Sequence, residues 1–118
     1  MQYLLLIHDS EANEAKMTTE QSGALLAEYG TFTEGIQKAG KLVGANRLRP
    51  STTATTVRVR NGKVQTTDGP FAETREQLGG YYLVEASDLD DAVALAAKVP
   101  SAKSGSIEVR PIWPMGSM

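Results

Sequence analysis

Two short runs constrain this chain more than any other part of it. Gln2 to His8 (Gln-Tyr-Leu-Leu-Leu-Ile-His) and Tyr81 to Ala86 (Tyr-Tyr-Leu-Val-Glu-Ala) are apolar on successive residues and too short for helices. Each therefore reads as a β-strand with both faces withdrawn from water. Side chains alternate across a strand. Leu4, Leu6 and His8 share one face, Tyr3, Leu5 and Ile7 share the other, and Tyr81 and Tyr82 point opposite ways. A single layer packed on such a sheet leaves an apolar face uncovered.

The remaining sequence supplies only two substantial helices. Thr18 followed by Gln21 is a capping-box signature. It opens a helix whose stripe is Leu25, Tyr29, Phe32 and Ile36 and whose end is marked by Gly40. Ser87 with Asp90 opens a second, striped by Leu89, Val93 and Ala96 and stopped by Pro100. Further strands are expected near Leu42 to Leu48 and from Ile107 to Ile112. Between them, Thr55 to Arg60, Asn61-Gly62 and Lys63 to Thr67 form a hairpin signal, because both turn residues must accept positive φ. Its register sets Val59 against Val64 and Arg60 against Lys63, giving one apolar face and one charged face.

The order strand, helix, strand, hairpin, strand, helix, strand predicts an α+β fold, a ferredoxin-like βαββαβ core with an extra β-hairpin. Residues 1–118 are the length of one domain. Two helices cover one face of the sheet, so a second copy of the chain is expected to cover the other and form a homodimer. Composition agrees: Val, Ile, Leu and Phe number 25 of 118 residues, close to the minimum for independent folding, while the 14 alanines contribute little buried area. The thin core reads as half of a shared one.

Charge and composition exclude several partners. Twelve Lys and Arg against fourteen Asp and Glu give a net charge of −2 without like-charge blocks, so no nucleic-acid footprint is present. No apolar run approaches the roughly 18 residues of a membrane span, and no basic region precedes the first strand, so a cytoplasmic protein without a membrane partner is expected. With no cysteine and one histidine, thiol chemistry and His-cluster zinc sites are absent and any metal would need carboxylates; no metal site is expected. Gly79-Gly80 precedes a strand where a phosphate loop precedes a helix, and no nucleophile elbow occurs, so neither a cofactor nor a Ser-His-Asp triad is expected.

The segment Thr67-Asp-Gly-Pro-Phe-Ala-Glu-Thr-Arg-Glu-Gln-Leu-Gly-Gly-Tyr-Tyr-Leu-Val-Glu-Ala86 resembles the defining stretch of the DGPF branch of the YCII-related proteins. Thr53 to Arg60, Asp88-Leu-Asp-Asp-Ala92 and Ile107-Glu-Val-Arg-Pro-Ile112 extend the resemblance over nearly the whole chain. It implies a dimeric α+β barrel, two ferredoxin-like subunits stacking their sheets. It also implies a small bacterial protein of unassigned enzymatic function, and, through relatives fused to or beside extracytoplasmic-function sigma factors, a sigma-factor link. Shorter relatives pair an aspartate closing the first strand with a histidine on the first helix. Asp9 matches the aspartate; residues 19–39 contain no histidine, and Glu28 or Tyr29 occupies the corresponding region.

His8, Asp9 and Asp68 are the candidate catalytic residues. A histidine at a strand end suits proton transfer near neutral pH, although it is equally a hydrogen-bonded strand terminus, and parity stops Asp9 from orienting it. Asp68, before a rigid Gly69-Pro70 turn, is a loop-held base or a simple turn cap. Arg47 and Arg75 are candidate substrate anchors, with a surface salt bridge as the plainer reading of Arg75. Tyr81 is the candidate aromatic wall, and Phe71 is expected to anchor its loop in the core. The expected function is acid/base chemistry on a small polar or aromatic ligand in a cleft at the sheet. The alternative is a non-catalytic ligand-sensing or regulatory dimer.

Overall fold

Strand β1 (Gln2–Asp9) runs through a four-stranded antiparallel sheet in the order β2 (Leu42–Arg47), β5 (Gln77–Glu85), β1, β6 (Ser106–Pro111). The structure, a computed structural model, describes residues 1–117. A single turn, α1 (Glu11–Glu14), follows β1; α2 (Thr19–Lys38) and α3 (Leu89–Ala97) supply the helical layer. Strands β3 (Thr55–Arg60) and β4 (Lys63–Asp68) form a separate two-stranded sheet. The result is a ferredoxin-like α+β core with a hairpin inserted between its second and third strands. None of the helices in the described residues is long and apolar enough to cross a membrane.

The alternation in β1 decides where the core sits. Tyr3, Leu5 and Ile7 are buried with Tyr82 and Val84 of β5, Ile36 of α2, and Ala92, Leu95, Ala96 and Val99 at and beyond α3. Leu5, Val84 and Val99 are fully enclosed. The α2 stripe lies as expected, with Ile36 buried and Tyr29 and Phe32 against the core. The Phe32 and Tyr82 rings meet edge to face at 5.1 Å. Thr18 Oγ1 accepts from the Gln21 N–H at 3.1 Å, and Gln21 Oε1 accepts from the Thr18 N–H at 2.9 Å, closing the capping box.

Helix α3 departs from expectation in two ways. Its cap is Asp88, which accepts from the Asp91 N–H at 2.8 Å, because a carboxylate placed three residues before a free N–H outcompetes the preceding serine. Its buried row is Ala92, Leu95, Ala96 and Val99, leaving Leu89 and Val93 about half exposed. That row has i, i+3, i+4, i+7 spacing and centres Leu95 on the sheet, whereas the row through Leu89 and Val93 ends on a small alanine. Four residues of the post-β1 loop also form α1, where Ser10 Oγ accepts from the Asn13 N–H at 3.1 Å.

The hairpin has the predicted register, with Asn61 and Gly62 at φ 54° and 73°. Gly69 closes its base: at φ 97° its N–H donates to Ala54 O at 2.7 Å and its carbonyl accepts from Thr56 Oγ1 at 2.8 Å. Only glycine adopts that φ without strain, so this part of the Asp-Gly-Pro-Phe sequence serves the turn. Phe71 corrects an expectation, because it is 81% exposed rather than anchored in the core. No apolar layer of its own chain covers it, and Val57, Val59 and Val64 on the hairpin are similarly bare.

Candidate functional site

The parity that buries Tyr3, Leu5 and Ile7 also carries Asp9 onto the helical side of the sheet, at the end of the row. There the strand end, α1, the first turns of α2 and the loop after β2 enclose a cleft of about 400 Å³. Asp9, Glu14, Tyr29, Arg47, Tyr82 and Ser101 supply its chemistry, and Met17, Leu25 and Leu26 an apolar wall. A β-bulge lies opposite β1, where Ile7 pairs with Gly80 but His8 pairs with Leu78. Such irregularities re-aim strand-end side chains. Gly80 admits close strand packing here, since a Cβ would meet Asn46 O at 2.8 Å.

Asp9 is held rigidly. Its Oδ1 accepts from the Ser10 N–H at 2.8 Å and its Oδ2 from the Ser104 hydroxyl at 2.7 Å. Glu11 is structural: its carboxylate accepts from the Ser51 N–H at 2.8 Å and from the Ser51 hydroxyl at 3.2 Å, tying α1 to the loop that leads into the hairpin. The Glu11 N–H donates to Gln77 Oε1 at 2.9 Å, which adds β5 to the same junction. Tyr29 reaches in from α2 and donates to Ser101 Oγ at 2.5 Å. Across the floor, Tyr82 and Thr33 share a 2.7 Å hydroxyl contact.

Glu14 differs from both other carboxylates, with no hydrogen bond or ion pair among the described residues. Partial burial at the cleft mouth, which disfavours the charged form, raises its pKa above the usual glutamate value. The Asp9 and Glu11 charges push in the same direction, and Arg47 opposes them. Tyr29 is also raised, chiefly by burial, against the lowering effect of Ser101 and with smaller contributions from Tyr82 and Asp9. The site thus joins a fixed carboxylate, a free one whose pKa is raised, a phenol and a guanidinium. The Glu14 assignment carries a titration test. In carbon-detected NMR, Asp9→Asn is expected to lower the Glu14 pKa and Arg47→Gln to raise it further; unchanged values in both would place Glu14 outside this cluster.

The YCII-related domain profile matches residues 1–116. This chain belongs to the YCII-related family. An uncharacterized protein of Rhizobium meliloti (strain 1021) is 36% identical over 114 residues, covering 95% of this chain and 92% of that one.

In this YCII-related protein the six candidate site residues fall in three places. Asp9, Arg47 and Tyr81 border the cleft. Tyr81 borders it only from its place on the strand, because alternation turns its side chain to the sheet face opposite Tyr82, where its hydroxyl accepts from Asn46 Nδ2 at 2.8 Å. His8 and Arg75 lie together in a shallow groove on the open face, with Glu76, Ser106 and Glu108. His8 Nε2 is 3.4 Å from Glu108 Oε1 without hydrogen-bond geometry. Asp68 is exposed at the base of the hairpin opposite Thr55, bordering neither. Within a single chain, then, His8, Asp9 and Asp68 do not border one cleft.

No sequence signal marks Glu14, Ser101 or Ser104 as site residues. Glu14 reads as loop charge and borders the cleft only because that loop winds into α1, and the serines follow α3 in a segment with no periodic signal. Of the two helix residues named for the missing histidine, Tyr29 faces Asp9 across the cleft, while Glu28 accepts from Lys103 Nζ at 3.0 Å on the surface.

Proposed function

We propose that this YCII-related protein is a cytoplasmic homodimeric enzyme performing acid/base chemistry on a small polar or aromatic molecule in the Asp9 cleft. The observation that carries this reading is the unlike pair of carboxyl groups. Asp9 is fixed by two hydrogen bonds, whereas Glu14 has none and its pKa is raised by partial burial and by the neighbouring Asp9 and Glu11 charges. Pairs of titratable groups with divergent environments divide the roles of base and acid between them. Asp9 would accept a proton from the ligand, Glu14 would return one, Tyr29 would donate a hydrogen bond, and Arg47 would orient an oxygen-bearing group. The apolar wall and the two tyrosines suit a small ring or short chain better than a highly charged ligand.

Leu4, Leu6 and Leu83 line the face away from the helices and are only partly buried. In the homodimer a second sheet would cover them.

A thermal-shift screen against metabolites tests the site. A ligand at about 100 times its Kd adds roughly 2.7 kcal/mol, a rise on the order of 10 °C for a chain of this size. The expected rise appears in the parent, His8→Ala and Asp68→Asn proteins and disappears in Asp9→Asn and Arg47→Gln. A response lost only in His8→Ala would move the site to the other face. The absence of a helix histidine favours a second reading, a ligand-sensing regulator of the sigma-factor-linked type; binding without conversion of the bound compound would support it.

A further inference from the structure

We propose that the β3–β4 hairpin is an arm that lays its valine face on a second copy of this chain. The proposal rests on the homodimer reading above and extends it, since two stacked core sheets would by themselves leave the hairpin bare.

Val57, Val59 and Val64 share one face of the hairpin and are 59%, 58% and 70% exposed, and Phe71 just beyond its base is 81% exposed. The opposite face carries Arg58, Gln65, Arg60 and Lys63, which suits water. A two-stranded ribbon is at best marginally stable alone and needs a layer against one face. Its own chain does not provide that layer. The radius of gyration is 16.3 Å, whereas a compact domain of this length has about 13.5 Å.

Surface area identifies the occupant. The chain exposes 8399 Å², against about 6,200 Å² expected for a folded monomer of its mass. The surplus of about 2,200 Å² is comparable with what each subunit of an obligate homodimer buries. The bare valine face and Phe71 belong to that surplus, so a second copy laid on the arm would bury part of it. Two-fold symmetry places each arm on the other copy, burying both apolar faces in one closed assembly.

The test uses the full chain, which has no native cysteine. Val59→Cys carrying a benzophenone label is irradiated in a mixture of isotopically heavy and light chains. The expected product is a cross-linked species of twice the chain mass containing heavy and light peptides. Separately, Val59→Asp and Val64→Asp, at positions exposed in the single chain, are expected to weaken dimerisation by at least about tenfold in sedimentation while leaving circular dichroism unchanged. A parent protein that sediments as a monomer would overturn both the arm and the dimer. A dimer of unchanged affinity in both variants, with cross-links confined to one chain, would overturn the arm alone. Cross-linking to a different protein or to nothing also counts against it.

Discussion

Gly105→Ala is expected to destabilise the fold by about 3 kcal/mol and to disturb the cleft at the same time. A Cβ at this position would overlap the His8 carbonyl oxygen and meet Asp9 Cγ at 2.9 Å. The first obstacle is backbone, in the strand at the centre of the sheet, so it cannot swing aside as a side-chain tip would. Relief requires the segment before β6 to move away from the end of β1. That segment includes Ser104, whose hydroxyl holds Asp9, and the Gly105 N–H, which donates to Ser101 O at 2.7 Å. The substitution should therefore lower the urea midpoint and abolish the ligand-induced thermal shift together. Gly23→Ala is the control. Nothing lies within 4 Å of its added methyl group on the exposed side of α2, and a gain of about 0.5–1 kcal/mol is expected from helix propensity. Equal effects from the two substitutions would show that close approach is not the reason for Gly105.

Leu5→Ala and Leu6→Ala are expected to differ sharply although the residues adjoin. Leu5 is completely buried between sheet and helices, and truncating it should cost about 2–5 kcal/mol through lost transfer energy and the cavity left behind. Leu6, on the open face, is only partly buried in the single chain. Its truncation should cost that chain no more than about 1 kcal/mol and should act mainly on association. Unfolding midpoints measured across protein concentrations separate the two. Leu5→Ala lowers the midpoint at every concentration, while Leu6→Ala flattens its concentration dependence, because self-association stabilises by mass action. A large, concentration-independent loss in Leu6→Ala would mean that this face is already covered by its own chain.

Much of the architecture was legible in the sequence because its signals are local. Thr18 and Gln21 mark the start of α2 by reciprocal bonding, Asn61-Gly62 fixes the hairpin turn, and the unbroken run from Tyr3 to Ile7 fixes a central strand. The errors arose where several local readings compete. Leu89 and Val93, with Ala96, looked like the core row of α3, but position relative to the sheet overruled size: of the three only Ala96 is buried, beside Ala92, Leu95 and Val99. Phe71 looked like an anchor because aromatic residues usually are, yet nothing in its neighbourhood of the chain supplies a socket.

The site was legible only in part. Asp9 and Arg47 lie at strand ends, where parity and proximity can be reasoned about in advance. Glu14, Ser101 and Ser104 reach the cleft through a four-residue helical turn and an irregular segment, and no periodic pattern announces either. His8 is a candidate for its place at a strand end, and it lies where parity puts it, on the sheet face opposite Asp9.

That alternation makes β1 a partition wall between two compartments. Even-numbered residues from Leu4 to His8 look onto the surface proposed to meet a second subunit, and odd-numbered ones from Tyr3 to Asp9 look toward the core and the cleft. Neighbours along the backbone thus answer to different tasks. Substitutions could retune association at alternate letters of one short word while the letters between continue to spell the chemistry.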